Sequence, residues 1–376
     1  MPNTVPPRSP ARRRTLQSLA LAGVSPWLPA FGKSKPERKL GVALVGLGGY
    51  AGNLLAPALQ LTKHCRLAGI VTGSPEKIAP WQRKYGIPDK NVYDYGNFER
   101  IADNPDIDVV YIVLPTSMHA EYTIRAAGTG KHVWCEKPMA MTAAEARSMI
   151  DACTKNKVRL AIGYRLQHEP ITQQVVAWAK EKPYGKPLKL RAEAGYRGYS
   201  EGYDPDNWRL DPKRGGNPLY DMGVYAINAA RYASGLEPVA VTAKAEVKRP
   251  EIFRGMEETM RFRLEFPGGL FADCMTSYGE NSNILRVDCE RGWHEVSPFQ
   301  VYSGNRGRTS DGKALDASLG PQPRMQAKQM DDDALALMQG ALFIAPGEEG
   351  LRDLRVIDAT FASAKAEGKR VEIARG

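Results

Sequence analysis

From Leu40 onward, short continuous apolar runs alternate with stretches whose apolar residues recur at three- and four-residue spacing. Continuous runs of this length predict strands buried on both faces, and the second pattern predicts amphipathic helices. Strands are predicted over 40–45, 67–71, 109–114, 132–135 and 158–162. Between them fall a helix carrying Leu54, Leu55, Ala58, Leu59 and Leu61, and helices over 76–85, 118–129 and 142–156. Thr142-Ala143-Ala144-Glu145 reads as a capping box at the start of the last of these. Such alternation predicts an α/β fold, a doubly wound parallel sheet with helices on both faces.

The pattern changes after Gly163. A helix over 170–181 precedes longer alternating strands at 188–199, 239–247, 256–266 and 269–278, with shorter ones at 285–289 and 293–296. Pro267-Gly268-Gly269 reads as a hairpin turn, and helices are predicted over 325–343 and 347–367. The polar, Gly- and Ser-rich segment 302–322 reads as a mobile loop. Residues 33–162 are therefore assigned to a Rossmann nucleotide-binding domain. Residues 163–376 form an α+β domain with a largely antiparallel sheet, for substrate and oligomer contacts, whose last helix is able to pack back on the first domain.

Residues 1–32 change the picture of where this fold works. Arg12-Arg13-Arg14 precedes a broken apolar stretch from Leu16 to Phe31. A basic segment followed by a short apolar one reads as an export signal, and adjacent arginines point to the twin-arginine route and the periplasm. The stretch is too short and interrupted to serve as a membrane anchor. Net charge is +10, and +6 without these residues, with no basic stripe interleaved with aromatics, which argues against nucleic acid as a partner. The 376 residues are 43% hydrophobic and 25% charged, as in a two-domain globular protein. Cys65, Cys135, Cys153, Cys274 and Cys289 show no paired spacing, and the five histidines include no i, i+4 pair. Neither a structural disulfide nor a metal site is expected.

The first strand ends in Gly46-Leu47-Gly48-Gly49-Tyr50-Ala51, which fits a dinucleotide fingerprint with alanine at its third position. Gly46 would allow the tight turn, Gly48 the approach of the pyrophosphate, and Ala51 close helix packing. The second strand ends in Thr72-Gly73-Ser74-Pro75-Glu76-Lys77, where NAD sites usually carry an acid at the tip. Hydroxyls and Lys77 occupy that position and favour a 2′-phosphate, so NADP is the expected cofactor. Glu76 is expected to begin the helix instead of turning inward.

Two further motifs carry chemistry. Glu136-Lys137-Pro138 follows the strand His132–Cys135 and places a lysine on the sheet edge where ligands bind. In the second half, Gly215-Gly216-Asn217-Pro218 leads into a helix on which Asp221 and Tyr225 share a face. A tyrosine beside a lysine ammonium can lose its proton more readily and act as a base toward a sugar hydroxyl. A helix-face tyrosine with an aspartate cap accounts equally well for Asp221 and Tyr225 alone.

Taken together, Gly46-Leu47-Gly48, Cys135-Glu136-Lys137-Pro138, Gly163-Tyr164-Arg165, Trp208-Arg209 and Asp221-x-Gly223-x-Tyr225 resemble the Gfo/Idh/MocA oxidoreductases from about Leu40 to the carboxyl end. Met118-His119-Ala120-Glu121 and Pro346-Gly347-Glu348-Glu349-Gly350 fit the same pattern. Tyrosine at 225, where many members have histidine, resembles the glucose–fructose branch. The resemblance implies a tightly held NADP that one sugar reduces and a second reoxidises. It implies that Lys137 polarises the reacting hydroxyl, Tyr225 is the acid/base and Asp221 binds sugar. It places Arg165, Trp208, Arg209 and Tyr278 along the sugar pocket, with Arg165 reaching the cofactor as well. Pro115 and His119 would lie along the nicotinamide side, Leu114 and Lys137 would also contact the cofactor, and Glu136 would position Lys137 and touch the cofactor. The branch carries a long proline-rich arm before its first domain, whereas only about Lys33 to Lys39 stands there in this chain, which weakens the case for permanent retention. Family analogy also implies a homodimer or homotetramer through the open sheet face. The competing readings are an aldose dehydrogenase with exchangeable NADP, an NAD-assisted glycoside hydrolase, which the missing acid after the second strand disfavours, and a non-catalytic nucleotide-binding protein.

Overall fold

The computed structural model describes residues 38–200 and 203–374, within one compact unit, and the expected export segment lies outside them. Six strands build the first sheet: β1 (Leu40–Val45), β2 (Cys65–Val71), β3 (Val92–Tyr93), β4 (Val109–Ile112), β5 (His132–Cys135) and β6 (Leu160–Ile162). They run parallel in the order β3-β2-β1-β4-β5-β6. Each strand is apolar throughout because both faces are covered. Ala43, Val45, Val110 and Val133 meet α3 (His119–Gly128) and α4 (Ala143–Lys155). Val42, Leu44 and Tyr111 meet α1 (Ala56–Leu59) on the other face, whereas α2 (Ile78–Tyr85) buries no residue completely. Thr142 caps α4 by accepting from the Glu145 amide at 3.1 Å, and Glu145 returns to the Met141 amide at 2.9 Å. The strand order reverses between β1 and β4, which opens a crevice at their carboxyl ends.

The second sheet has nine strands. In chain order they are β7 (Pro187–Gly195), β8 (Ala240–Glu246), β9 (Thr259–Glu265), β10 (Phe271–Ser277), β11 (Ser282–Cys289), β12 (Gly292–Val296), β13 (Gly307–Thr309), β14 (Ala314–Leu315) and β15 (Val371–Glu372). Their order is β14-β13-β12-β11-β7-β10-β9-β8-β15; β7 and β10 are parallel and the other pairings antiparallel. Leu190, Ala192 and Ala194 point inward with α5 (Pro170–Glu181) and α6 (Val224–Ser234), completing the mixed α/β architecture that the patterning predicts. The opposite face, expected to meet another copy, carries ion pairs such as Lys189–Asp273, Arg263–Asp273 and Arg261–Glu280.

Three features depart from the sequence pattern. β7 stops at Gly195 instead of continuing to Tyr199, and the chain leaves extended geometry at Tyr199, which adopts φ +57°. The segment 302–322, expected to be a loop, contributes β13 and β14 to the sheet edge. Finally, α7 (Arg324–Gln339) packs on the first sheet beside α1 and the start of β2, its Met330 and Ala334 sharing a core with Tyr111 and Trp134. The closing helix α8 (Gly347–Lys365) runs between α4 and β8 and so ties the two halves together.

Candidate active site

The nucleotide turn is built by steric necessity. Gly46 has φ +92°, and a Cβ there would approach the Val113 carbonyl oxygen to 2.7 Å. Gly48 has nothing within 4 Å of where its Cβ would stand, so its backbone borders open space. That space is a cleft of about 670 Å³ along the carboxyl ends of β1, β2, β4 and β5, within the usual size range for ligand sites. Its far end is lined by Thr72, Ser74, Lys77 and Tyr95, with no carboxylate, and Lys77 Nζ donates to the Leu47 carbonyl at 3.2 Å across the glycine turn. Glu76 lies exposed in the turn that starts the next helix. A phosphate-bearing dinucleotide fits this end, because hydroxyls and one ammonium line it and no carboxylate does.

At the other end the two halves of the chain meet through Lys137. Its Nζ donates to the Asp221 backbone carbonyl at 2.9 Å and to Asp221 Oδ1 at 3.3 Å. It also stands 4.6 Å from the centre of the Tyr225 ring. Asp221 lies in a π-helical turn, Leu219–Gly223, that precedes α6, and it and Tyr225 both line the cleft. Its second oxygen accepts from Arg209 Nε at 3.1 Å and from the Tyr278 hydroxyl at 3.2 Å. On the Rossmann side Glu136 accepts from the Tyr111 hydroxyl at 2.7 Å and from the Lys137 amide at 3.3 Å. The ring nitrogens of His119 sit 2.8 Å from the carbonyl oxygens of Leu114 and Pro138, joining the loops that leave β4 and β5.

These contacts set the protonation states. Burial alone would push the Tyr225 phenol up, but the Lys137 ammonium and the Arg165 guanidinium outweigh it and hold it below its ordinary value. Burial would likewise raise Asp221, and Lys137 with Arg209 holds it down as a carboxylate. For Lys137 burial favours the neutral amine, yet Tyr225 and Asp221 keep it charged and raise it. Glu136 is shifted upward by burial, and His119 downward by burial despite its carbonyl neighbours. A phenol that ionises early, beside a charged lysine in a cleft, is equipped to take a proton from a bound hydroxyl.

Most residues singled out from the sequence come together here. Gly46 to Ala51, Thr72, Ser74, Lys77, Leu114, Pro115, His119, Glu136, Lys137, Trp208, Arg209, Asp221 and Tyr225 all line the cleft. Three do not. Gly73 is exposed at the rim, against the Tyr95 ring. Tyr278 is fully buried behind Asp221, and Arg165, 1% exposed, lies behind Tyr225 instead of along the sugar pocket. Tyr302, expected in a loop from its polar neighbours, returns to the cleft, where its ring lies tilted against that of Tyr50 with centres 6.3 Å apart. Tyr196 and Tyr199 also line the cleft, in an aromatic group with Tyr278 and Phe253. No local motif marks these tyrosines; only the aromatic spacing after β7 hints at them.

Comparison with known proteins agrees with this geometry. Residues 40–164 match the Gfo/Idh/MocA oxidoreductase family with its NAD-binding Rossmann fold, and residues 172–295 match the Gfo/Idh/MocA C-terminal domain. The crystal structure of aldose-aldose oxidoreductase from Caulobacter crescentus is 38% identical, covering 89% of this chain and 100% of its own, with a TM-score of 0.83. D-xylose 1-dehydrogenase [NADP(+)] of Haloarcula marismortui is 28% identical over 330 residues, 86% of this chain and 91% of the relative. Levoglucosan dehydrogenase of Pseudarthrobacter phenanthrenivorans is 31% identical over 197 residues, about half of each chain. With both domains matched and a full-length relative of this similarity, the chain belongs to the Gfo/Idh/MocA oxidoreductase family.

Proposed function

We propose that the protein is an NADP-dependent oxidoreductase that transfers hydride between an aldose and tightly held NADP, and on to a second sugar. The observation that carries this reading is the Lys137–Asp221–Tyr225 cluster at one end of a cleft whose other end offers Ser74 and Lys77 without a carboxylate. NADP would be held by Gly46 to Ala51, with Lys77 available to its 2′-phosphate, and would supply the hydride acceptor. The sugar hydroxyl is oriented by Lys137, whose position is set by the Asp221 carbonyl and carboxylate. Tyr225 takes the hydroxyl proton as base and returns one as acid when the second sugar is reduced. Trp208, Arg209, Tyr196 and Tyr199 give the sugar faces and edges to meet.

The likeness to an aldose-aldose oxidoreductase supports the two-sugar reading. The NADP-dependent xylose dehydrogenases among the relatives favour a second reading, an aldose dehydrogenase with exchangeable NADP. Purification without added nucleotide, followed by denaturation and identification of what is released, separates the two. Stoichiometric NADP, with turnover of an aldose and fructose (or a second aldose) and no added cofactor, is expected. Empty protein that turns over only with added NADP would replace the first reading by the second. We also propose twin-arginine export to the periplasm; replacing Arg12 and Arg13 by lysine should retain the protein in the cytoplasm, and unchanged fractionation would exclude that route.

A further inference from the structure

Arg165 stands out among the charged groups near the site. It is 1% exposed, and among the described residues no carboxylate pairs with it. Its Nη1 donates to the Val301 carbonyl at 2.6 Å and lies 3.0 Å from Met325 Sδ, whereas Nε and Nη2 have no partner. A buried guanidinium without a counter-ion is costly, and such groups are normally paired. Two aromatic faces flank it, with its Cζ 4.4 Å from the Tyr302 ring centre and 5.3 Å from that of Tyr225. Tyr302 is half-buried at the cleft, and Val301, just before it, takes the Arg165 hydrogen bond.

We propose that Arg165 is a positioning residue that holds an unpaired positive charge against the Tyr225 ring, and that Tyr302 is the cover that holds water away from that charge. The proposal rests on Tyr225 being the base of the proposed reaction, and it adds a second cation to the lysine expected there. The charged and titratable groups facing Tyr225 are Lys137 and Glu136 at the end of β5, Arg165 after β6, Asp221 in the turn before α6, Tyr50 in the glycine turn and Tyr302. Among these, Lys137 is already committed to the Asp221 carbonyl and carboxylate. Arg165 forms no ion pair among the described residues; its charge reaches Glu136 and Glu169 as well as the two phenols whose rings flank it. Burial raises Tyr302, and the ionised Tyr225 raises it further, so only one of the two gives up its proton. Tyr302 therefore serves as a neutral lid, and its ring matters more than its hydroxyl.

The test is a phenolate titration at 295 nm with the pH dependence of kcat/KM, on the purified holoprotein and its variants. In the unaltered protein one tyrosine, absent in Tyr225→Phe, should ionise below the ordinary range. Arg165→Met should move that ionisation, and the acid limb of kcat/KM, upward by about one pH unit or more, the order expected for an opposite charge ~5 Å away. Arg165→Lys should restore part of the shift. Tyr302→Ala, at a partly exposed position, should shift the limb upward, and Tyr302→Phe should leave it in place; this pair tests the idea if Arg165→Met does not fold. Unshifted titrations in Arg165→Met and in Tyr302→Ala would overturn the proposal. Full turnover by Tyr225→Phe would instead overturn the assignment of the base, which the titration reads separately from activity.

Discussion

Replacing Lys137 with methionine keeps much of the side-chain volume and removes one charge from the centre of the site. Two losses follow. The ammonium lies 4.6 Å from the Tyr225 ring centre, and at an effective dielectric of ~20 a unit charge about 5 Å away contributes roughly 3 kcal/mol. That corresponds to about two pH units on the phenol, or roughly a hundredfold less base at neutral pH. The donor that orients the sugar hydroxyl also disappears, which costs a further ~10²–10³-fold where such donors have been removed from other sites. Turnover should therefore fall by about four orders of magnitude or more. Nucleotide content should not change, since the glycine turn and Lys77 are remote from the substitution. Initial rates with an aldose and an acceptor sugar, together with nucleotide released per chain on denaturation, measure both effects. A variant within tenfold of the original rate would refute the role of Lys137, and one that loses its nucleotide in parallel would show a structural role instead.

Lys77→Ala should weaken NADP binding by roughly tenfold or more and leave NAD binding nearly unchanged, because only the 2′-phosphate needs that ammonium; equal losses by calorimetry would refute the cofactor assignment. Gly46→Ala should abolish nucleotide binding and cost about 1–3 kcal/mol of stability, since φ +92° and a 2.7 Å approach to the Val113 carbonyl leave no room for a methyl group; a variant that binds nucleotide at full stability would exclude this. Burial pushes the Asp333 carboxyl up to about 7, with Asp332 adding to the rise and His168 and Arg159 opposing it, and neither oxygen has a partner. The folded state therefore holds a proton that the unfolded chain releases near pH 4, and stability falls as pH rises from about 4 to about 7, by at most ~4 kcal/mol. Asp333→Asn should raise the melting temperature more at pH 8 than at pH 5, and an equal effect at both would refute the burial of an ionised carboxylate.

The strand–turn–helix around Gly46 was legible because each of its demands is local. A left-handed turn needs glycine, and strands covered on both faces need continuous apolar residues. The same holds for Lys137, since its place at a strand end on the binding edge follows from topology alone. Asp221 and Tyr225 were legible as neighbours on one helix face, but their meeting with Lys137 was not, because 84 residues separate Lys137 from Asp221. Arg165 and Tyr278 show the limit of motif transfer: both belong to the site, yet packing sets them behind the wall and not along it.

What the chain determined by itself is the chemistry available: a phosphate-accepting turn, an acid-free second strand, one lysine and one tyrosine suited to proton transfer. These follow from residue type and short-range spacing. The tertiary structure alone decided which groups share a field. It brought Tyr302 back from a polar, glycine-rich segment to cover Arg165, and it laid α7 across the first sheet from the far end of the chain. Burial and charge pairing act through space, so the basicity of Tyr225 depends on residues that no local pattern connects to it.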